Sequence, residues 1–260
     1  MKLKDKGELI RNTYRVKKVF PFVQGVLYYT DLLDREHPVL PSVRFIHALD
    51  ARALMSRGKI EDLLLRDDDV FFPIRDAFIE EEVLYQVYRR LEGTLLAFHM
   101  IKNVPLDLQE ALWLLRTIGA QLLRLYSHGH CTMVHPQNIL ITGAGSLRFL
   151  YGGPLGFIPK GGGLSEDPMG DELYDVFTLG ALAYTMLTGH SPTANAIRVA
   201  PIRSIREDVP EELDQLISKS LSLTLSRRPR MTEFVEELSR IASNLENNSH
   251  NTIKIIISNL

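Results

Sequence analysis

Near the middle of the chain runs Cys131-Thr132-Met133-Val134-His135-Pro136-Gln137-Asn138-Ile139-Leu140, a polar loop holding a proline that passes into an apolar strand. Asn138 to Ile141 and Leu147 to Leu150 read as two short strands around the turn Gly143-Ala144-Gly145. Upstream, Asp107 with Glu110 three residues on has the form of a capping box and opens a long amphipathic helix. Leu108, Leu112, Leu115, Ile118, Leu122 and Leu125 form its apolar stripe, and Gly129 lies just past its end. Downstream, residues 152–163 hold six glycines and two prolines, which predicts no regular structure. From Asp171 to Thr188 the run is apolar nearly all round, as in a buried helix. Glu211 to Leu221 and Thr232 to Leu245 are amphipathic, with Pro229 between them.

The first hundred residues carry a different period. Tyr14 to Val19 alternates, Val26 to Tyr29 follows a bend at Gly25, and Val43 to Ile46 is rich in strand formers. Val70 to Phe78 and Val83 to Tyr88 read as an antiparallel pair joined at Glu80-Glu81-Glu82. Helical spacing over Ala51 to Arg66 predicts one helix among these strands, although Gly58 weakens it by about 1 kcal/mol relative to Ala. The expectation is therefore a sheet-rich lobe over about 10–90, a helical lobe over about 91–243, and a tail over 244–260. Within that tail, Asn244 to Asn251 reads as a polar linker and Thr252 to Ser258 as a strand-like apolar run, suited to pairing with a sheet edge of its own chain or of a second copy.

Composition narrows the functional classes. With 45% hydrophobic and 24% charged residues in 260, the chain is globular rather than disordered or fibrous. Thirty basic against 32 acidic residues leave no basic field to draw in nucleic acid. Cys131 is the one cysteine, so neither an internal disulfide nor a paired-cysteine zinc module can form. No apolar run approaches the roughly 20 residues of a membrane span, and the lysines at the start have no apolar signal core behind them. These features predict a reduced, soluble, cytoplasmic protein.

In this order the elements resemble the protein-kinase fold, from about Tyr14 to Ile241. Residues 131–140 look like the kinase catalytic loop HRDLKPENIL, with Pro136, Asn138, Ile139 and Leu140 retained. Leu147 to Gly153 occupies the place of the strand running into DFG. Asp175-Val176-Phe177-Thr178-Leu179-Gly180, continued by Met186 to Pro192, is close to D-V-Y-S-L-G…LTG-x-x-P, and Ser226 to Met231 resembles the RP turn of the closing helix pair. The resemblance implies an α+β, bilobal fold: a small antiparallel β-rich N-lobe with one helix, and a larger α-helical C-lobe.

The same alignment of motifs exposes what is missing. Gly25-Val26-Leu27-Tyr28 fits the end of the glycine-rich loop, but its two earlier glycine slots fall on Phe20 and Phe22. The lysine slot holds Ile46 or His47, depending on a one-residue shift, and the glutamate slot falls near Gly58, with Glu61 the nearest acid. Met133 stands where the catalytic aspartate should accept a proton, and Tyr151 where the DFG aspartate should hold Mg²⁺. Phosphoryl transfer depends on positioning and charge stabilisation, and one lost charge contact can be worth ~10³–10⁵ in rate, about 4–7 kcal/mol. Asn138 remains as a residual nucleotide contact, but one neutral amide cannot hold the metal ions. The resemblance with these losses implies a pseudokinase with no cofactor and no metal, acting on another protein as scaffold or allosteric regulator. Two alternatives fit the same fold: an enzyme with remodelled nucleotide chemistry, and a small-molecule sensor using the interlobe cleft.

Other residues follow from the resemblance or are weighed against plainer roles. Tyr88 falls at the gatekeeper position, and with Phe20, Phe22 and Tyr151 it either plugs the nucleotide pocket or turns into lobe packing. Asp175 is expected to prop the catalytic loop, and Glu166 to pair with a buried Arg228. His128, His130 and His135 flank Cys131 at a spacing that matches no standard zinc pattern. Cys131 fills the slot of the family's loop histidine. The clusters Arg66-Asp67-Asp68-Asp69, Glu80-Glu81-Glu82, Arg89-Arg90 and Arg227-Arg228 with Arg230 read as solvated faces or turns.

Overall fold

The structure, a computed structural model, describes residues 2–33, 42–53, 59–89, 91–154, 168–192 and 199–258. The chain forms two compact units, one of residues 1–97 with 125–162, the other of 98–124 with 163–260.

The first unit is built on a six-stranded antiparallel sheet. Its strands are β1 (Leu9–Ile10), β2 (Tyr14–Pro21), β3 (Val26–Leu32), β4 (Ser42–Asp50), β5 (Ile74–Glu80) and β6 (Val83–Tyr88), in the order β1-β2-β3-β4-β6-β5. Alternation sorts the side chains between its faces. Ile46, Ala48, Tyr28, Val83, Tyr85 and Val87 join Ile10, Tyr14 and Val16 in one buried cluster. His47 and Leu49 alternate with Ile46 and Ala48 along β4, and so take the opposite face. Glu81 and Glu82 have φ of 49° and 61°, the left-handed pair that a tight two-residue hairpin requires between β5 and β6.

Two small sheets complete this unit. β7 (Gly93–Leu95), β9 (Ile139–Thr142) and β10 (Leu147–Phe149) form one, while β8 (His130–Thr132) pairs with β11 (Gly152–Pro154) in the other. The expected absence of regular structure after residue 151 is thus corrected for its first three residues. Gly152 and Gly153, at φ of 142° and 143°, take a backbone that other residues rarely adopt, and this lets the segment lie against Cys131 and Thr132. The remainder of the glycine-rich stretch lies outside the described residues.

The second unit is helical. It comprises most of α1 (Leu96–Asn103) and α2 (Leu108–Ser127), with α3 (Pro168–Thr188), α4 (Glu211–Ser220) and α5 (Met231–Ser258). Asp107 caps α2, its Oδ1 accepting from Gln109 N at 2.8 Å and Glu110 N at 3.2 Å. Glu110 does not close the box; its carboxylate meets His99 Nε2 at 2.7 Å. Leu112, Leu115, Ile118 and Leu122 are buried, as their spacing predicts, and α3 packs against α4 and α5. Gly180 sets the α3–α4 approach: a Cβ there would lie 2.8 Å from Ser220 Cβ.

Two expected elements fail. No α-helix spans 51–66; the described residues form only 3-10 turns at Ala51–Ala53 and Ile60–Leu65, and 54–58 lie outside them. Leu63, Leu64 and Leu65 are consecutive, so they cannot share one buried face: Leu63 is buried while Leu64 and Leu65 are exposed. The tail is neither linker nor strand, because α5 continues its backbone through Ser258. No glycine or proline interrupts 232–260, and without such a stop signal the helix runs on through the asparagines. The strand that was to pair with a second copy is therefore missing.

Candidate functional site

The first unit gathers the site at Leu150-Tyr151-Gly152, where β10 leads into β11. The main chain here is gripped on all sides. Leu150 N donates to Asn138 O at 2.9 Å, and Leu150 O accepts from Tyr88 OH at 2.9 Å and Arg66 Nη1 at 3.1 Å. Tyr151 N donates to Asn138 Oδ1 at 2.7 Å. Tyr151 O accepts from Thr132 Oγ1 at 2.5 Å and Asn138 Nδ2 at 3.1 Å. Gly152 O accepts from Arg66 Nη1 at 3.0 Å. These bonds order the buried backbone at little net cost.

Asn138 is fully buried, at the end of a short 3-10 turn that His135 caps by accepting from Gln137 N. Its amide also donates to Met133 O at 2.9 Å and Thr132 Oγ1 at 3.1 Å. Both ends of the amide therefore bond the protein, Oδ1 as acceptor from Tyr151 N and Nδ2 as donor. Met133 is half-buried and offers a carbonyl to Asn138 rather than any titrating group.

Arg66 is the residue that sequence reasoning missed. It belongs to a charge run expected to be solvated, yet it is 5% exposed, and its third bond runs from Nη2 to Phe72 O at 2.8 Å. The guanidinium lies 4.8 Å above the Phe71 ring. Among the described residues it has no ion pair; carbonyl dipoles and an aromatic face solvate it instead. Burial lowers its pKa to about 10, which still leaves it cationic at neutral pH. A planar five-donor fork on a run of aspartates was the available signal, but charge alone pointed outward.

Of the two candidates for the lysine slot, His47 is the one that meets this site, since Ile46 lies in the core of the other face. His47 is fully buried, its ring 5.2 Å from Tyr151 and 4.9 Å from Phe22, both edge-on. Its Nε2 donates to Gln24 O at 2.5 Å. Burial, reinforced by the Arg66 charge, lowers its pKa to about 4, so the ring is neutral at pH 7. Tyr151 is 1% exposed, and burial raises the pKa of its phenol, as it does for Tyr88. Neutral rings therefore stand at both positions where the resemblance implies a cation and a carboxylate.

The other expected participants divide. Phe22 and Tyr88 are buried, as a plug and packing within the lobe would both require, while Phe20 is 38% exposed on β2. Alternation explains the difference less than position does, because β2 exposes five consecutive residues from Lys17 to Pro21 at the hairpin end. Glu61 is exposed. Cys131 is half-buried, its thiol 3.7 Å from Gly153 O. His128, His130 and His135 do not converge, and the described residues hold no acidic, histidine or cysteine cluster fit for a metal.

In the second unit, Asp175 is half-buried on α3, and Glu166 lies outside the described residues. Arg228 donates to Leu173 O at 3.0 Å and Ser222 O at 2.8 Å, with its guanidinium 4.6 Å over Phe177. Arg230 beside it pairs with Glu172 at 3.0 Å, while Glu172 also accepts from Met231 N. No described helix is long and apolar enough to cross a membrane.

No family model matches the chain. The serine/threonine-protein kinase cds1 of Schizosaccharomyces pombe is 25% identical over 194 residues, 62% of this chain and 42% of that protein. The chain thus spans less than half the length of that relative. A mutant form of the Mycobacterium tuberculosis PknI kinase domain matches 92% of this chain and 99% of its own, with a TM-score of 0.65 and 17% identity. A second PknI kinase-domain structure matches 93% and 100%, with a TM-score of 0.66 and 16% identity. Similarity at this identity reports architecture, and the architecture agrees with the order of motifs: the chain has a protein-kinase-like fold, with a β-rich N-terminal region and a helical C-terminal part.

Proposed function

We propose that this kinase-like domain does not turn over ATP and acts through contact with another protein, as a scaffold or allosteric regulator. One observation carries the proposal: the Asn138 amide is spent on the Tyr151 main chain, while the neutral rings of His47 and Tyr151 pack against each other. A kinase needs this region to hold charge, with a cation for the phosphates, carboxylates for the metal ions and a base for the hydroxyl. Here the corresponding side chains are a neutral imidazole, a phenol and the thioether of Met133. A buried phenol is a poor ligand for a hard divalent cation, and a thioether does not accept a proton at neutral pH. Losses of ~10³–10⁵ for single contacts of this kind leave no ordinary turnover when several are absent together, even without additivity.

The skeleton of the domain is kept where the chemistry is not. Arg228, Glu172, Gly180 and Asp107 hold helix ends and helix crossings together, and Arg66 and Asn138 hold the segment around Tyr151. A domain so maintained serves as a surface. Incubation with γ-labelled ATP, Mg²⁺ or Mn²⁺ and a panel of generic protein substrates tests the catalytic half: no transfer above background is expected. Transfer by the wild type that disappears in an Asn138→Ala variant still folded at the assay temperature would overturn the proposal.

A further inference from the structure

Among the described residues, two buried side-chain atoms on neighbouring strands have no hydrogen-bond partner: Nδ1 of His47 and Oε1 of Gln86. His47 on β4 and Gln86 on β6 are directly opposed in the antiparallel register. Residues so opposed point to one face of the sheet, with Cβ atoms about 4.5–5.5 Å apart. Both side chains are sealed from bulk solvent, at 0% and 1% exposure.

Their chemistry is the same. His47 Nε2 lies 2.5 Å from the Gln24 carbonyl, which can only accept, so Nε2 carries the ring hydrogen and Nδ1 presents a lone pair. Burial keeps the ring neutral in this tautomer at pH 7. The amide oxygen of Gln86 is likewise an acceptor. Two acceptors cannot bond to each other. What satisfies them together is a small group with two donor hydrogens.

We infer that His47 Nδ1 and Gln86 Oε1 hold one internal water molecule, which donates a hydrogen to each. A neutral donor suits this place better than an ammonium ion, because Arg66 already presses its positive charge on His47. Buried waters of this kind make about two to four hydrogen bonds to groups the fold leaves unpaired. The water supplies donors at the position where the family resemblance implies a lysine, yet carries no charge for a phosphate to meet. This holds whether or not the chain turns over nucleotide, so its failure and that of the proposed function are distinguishable.

A crystal structure of the whole chain, grown without nucleotide or ammonium salts at a resolution that places ordered waters, tests it. The expected result is a single density peak about 2.7–3.2 Å from both atoms. A Gln86 amide turned so that Nε2 donates directly to His47 Nδ1, with nothing between, would overturn the inference, as would the absence of a peak. A second measurement uses urea midpoints of His47→Phe, Gln86→Met and the double variant. Gln86→Met strands the His47 acceptor, and His47→Phe strands those of Gln86 and of the Gln24 carbonyl; each lowers the midpoint, and the double change recovers part of the summed loss. Strictly additive losses contradict a shared water. Should His47→Phe not fold, the wild-type and Gln86→Met crystals decide the matter, the latter losing the peak or showing it displaced.

Discussion

Asn138 and Tyr151 hold each other in both directions: Tyr151 N donates to Asn138 Oδ1 at 2.7 Å, and Asn138 Nδ2 donates back to Tyr151 O at 3.1 Å. The Asn138 side chain is thus a structural clasp on the Tyr151 segment, which by resemblance stands where kinases carry DFG. Asn138→Ala strands the buried Tyr151 N–H and costs about 1–3 kcal/mol. Urea unfolding should show that loss, while the response to nucleotide stays as small as in the wild type.

Arg66 is tied to the same segment through Leu150 O and Gly152 O. Arg66→Met keeps much of the stem's packing but removes three bonds to buried carbonyls, for a loss of about 2–4 kcal/mol. Arg66→Lys restores charge without the planar fork, and should recover only a minor part of that loss. Equal stability of the lysine variant and the wild type would contradict the carbonyl-fork account.

His47 gives stability a definite pH dependence. Its folded pKa is about 4 against an ordinary value of 6.5, so between these pH values the unfolded chain binds the proton more readily. Stability from this group is full above roughly pH 6.5, falls as pH drops toward 4, and levels off below. The whole effect is on the order of 3 kcal/mol for a fully buried ring. Chemical denaturation between pH 7 and 4 should show this slope in the wild type and lose most of it in His47→Phe.

Gly152 admits no side chain. A Cβ there would lie 2.5 Å from Phe71 Cε1 and 2.6 Å from Cys131 O, at a φ of 142°. Gly152→Ala therefore adds overpacking to backbone strain, together about 2–5 kcal/mol. Gly145→Ala is the control, because its positive φ is strained but nothing lies within 4 Å; about 1–2 kcal/mol is expected. Similar melting temperatures for the two variants would contradict the close approach.

Much of the fold is legible in local pattern. The leucine stripe of α2 reports a buried face directly, because one period matches one element, whereas the alternation of β2 buries only Tyr14 and Val16 before the bulge between Val16 and Lys18 leaves Val19 exposed. The turns at Ala51–Ala53 and Ile60–Leu65 defeat the same reasoning. Their apolar residues satisfy a helical count, but 3-10 turns and exposed Leu64 and Leu65 do not follow from spacing. The tail errs the other way, since isoleucines suggest a strand while the lack of a stop signal lets α5 continue. At the site, residue types at motif positions identify Met133, Asn138 and Tyr151, but not what those side chains do. That Arg66 turns inward, that Gln86 faces His47, and that Phe20 faces out depend on contacts between strands far apart in sequence.

Thermal unfolding of the purified chain, with and without saturating ATP and Mg²⁺ or Mn²⁺, is the most direct check on the claim that no charged nucleotide site exists here. Occupancy at 100 times a dissociation constant adds about 2.7 kcal/mol to a folded protein. The account predicts an unchanged melting temperature with either metal. A metal-dependent rise of several degrees, lost when Asn138 is replaced, would contradict it.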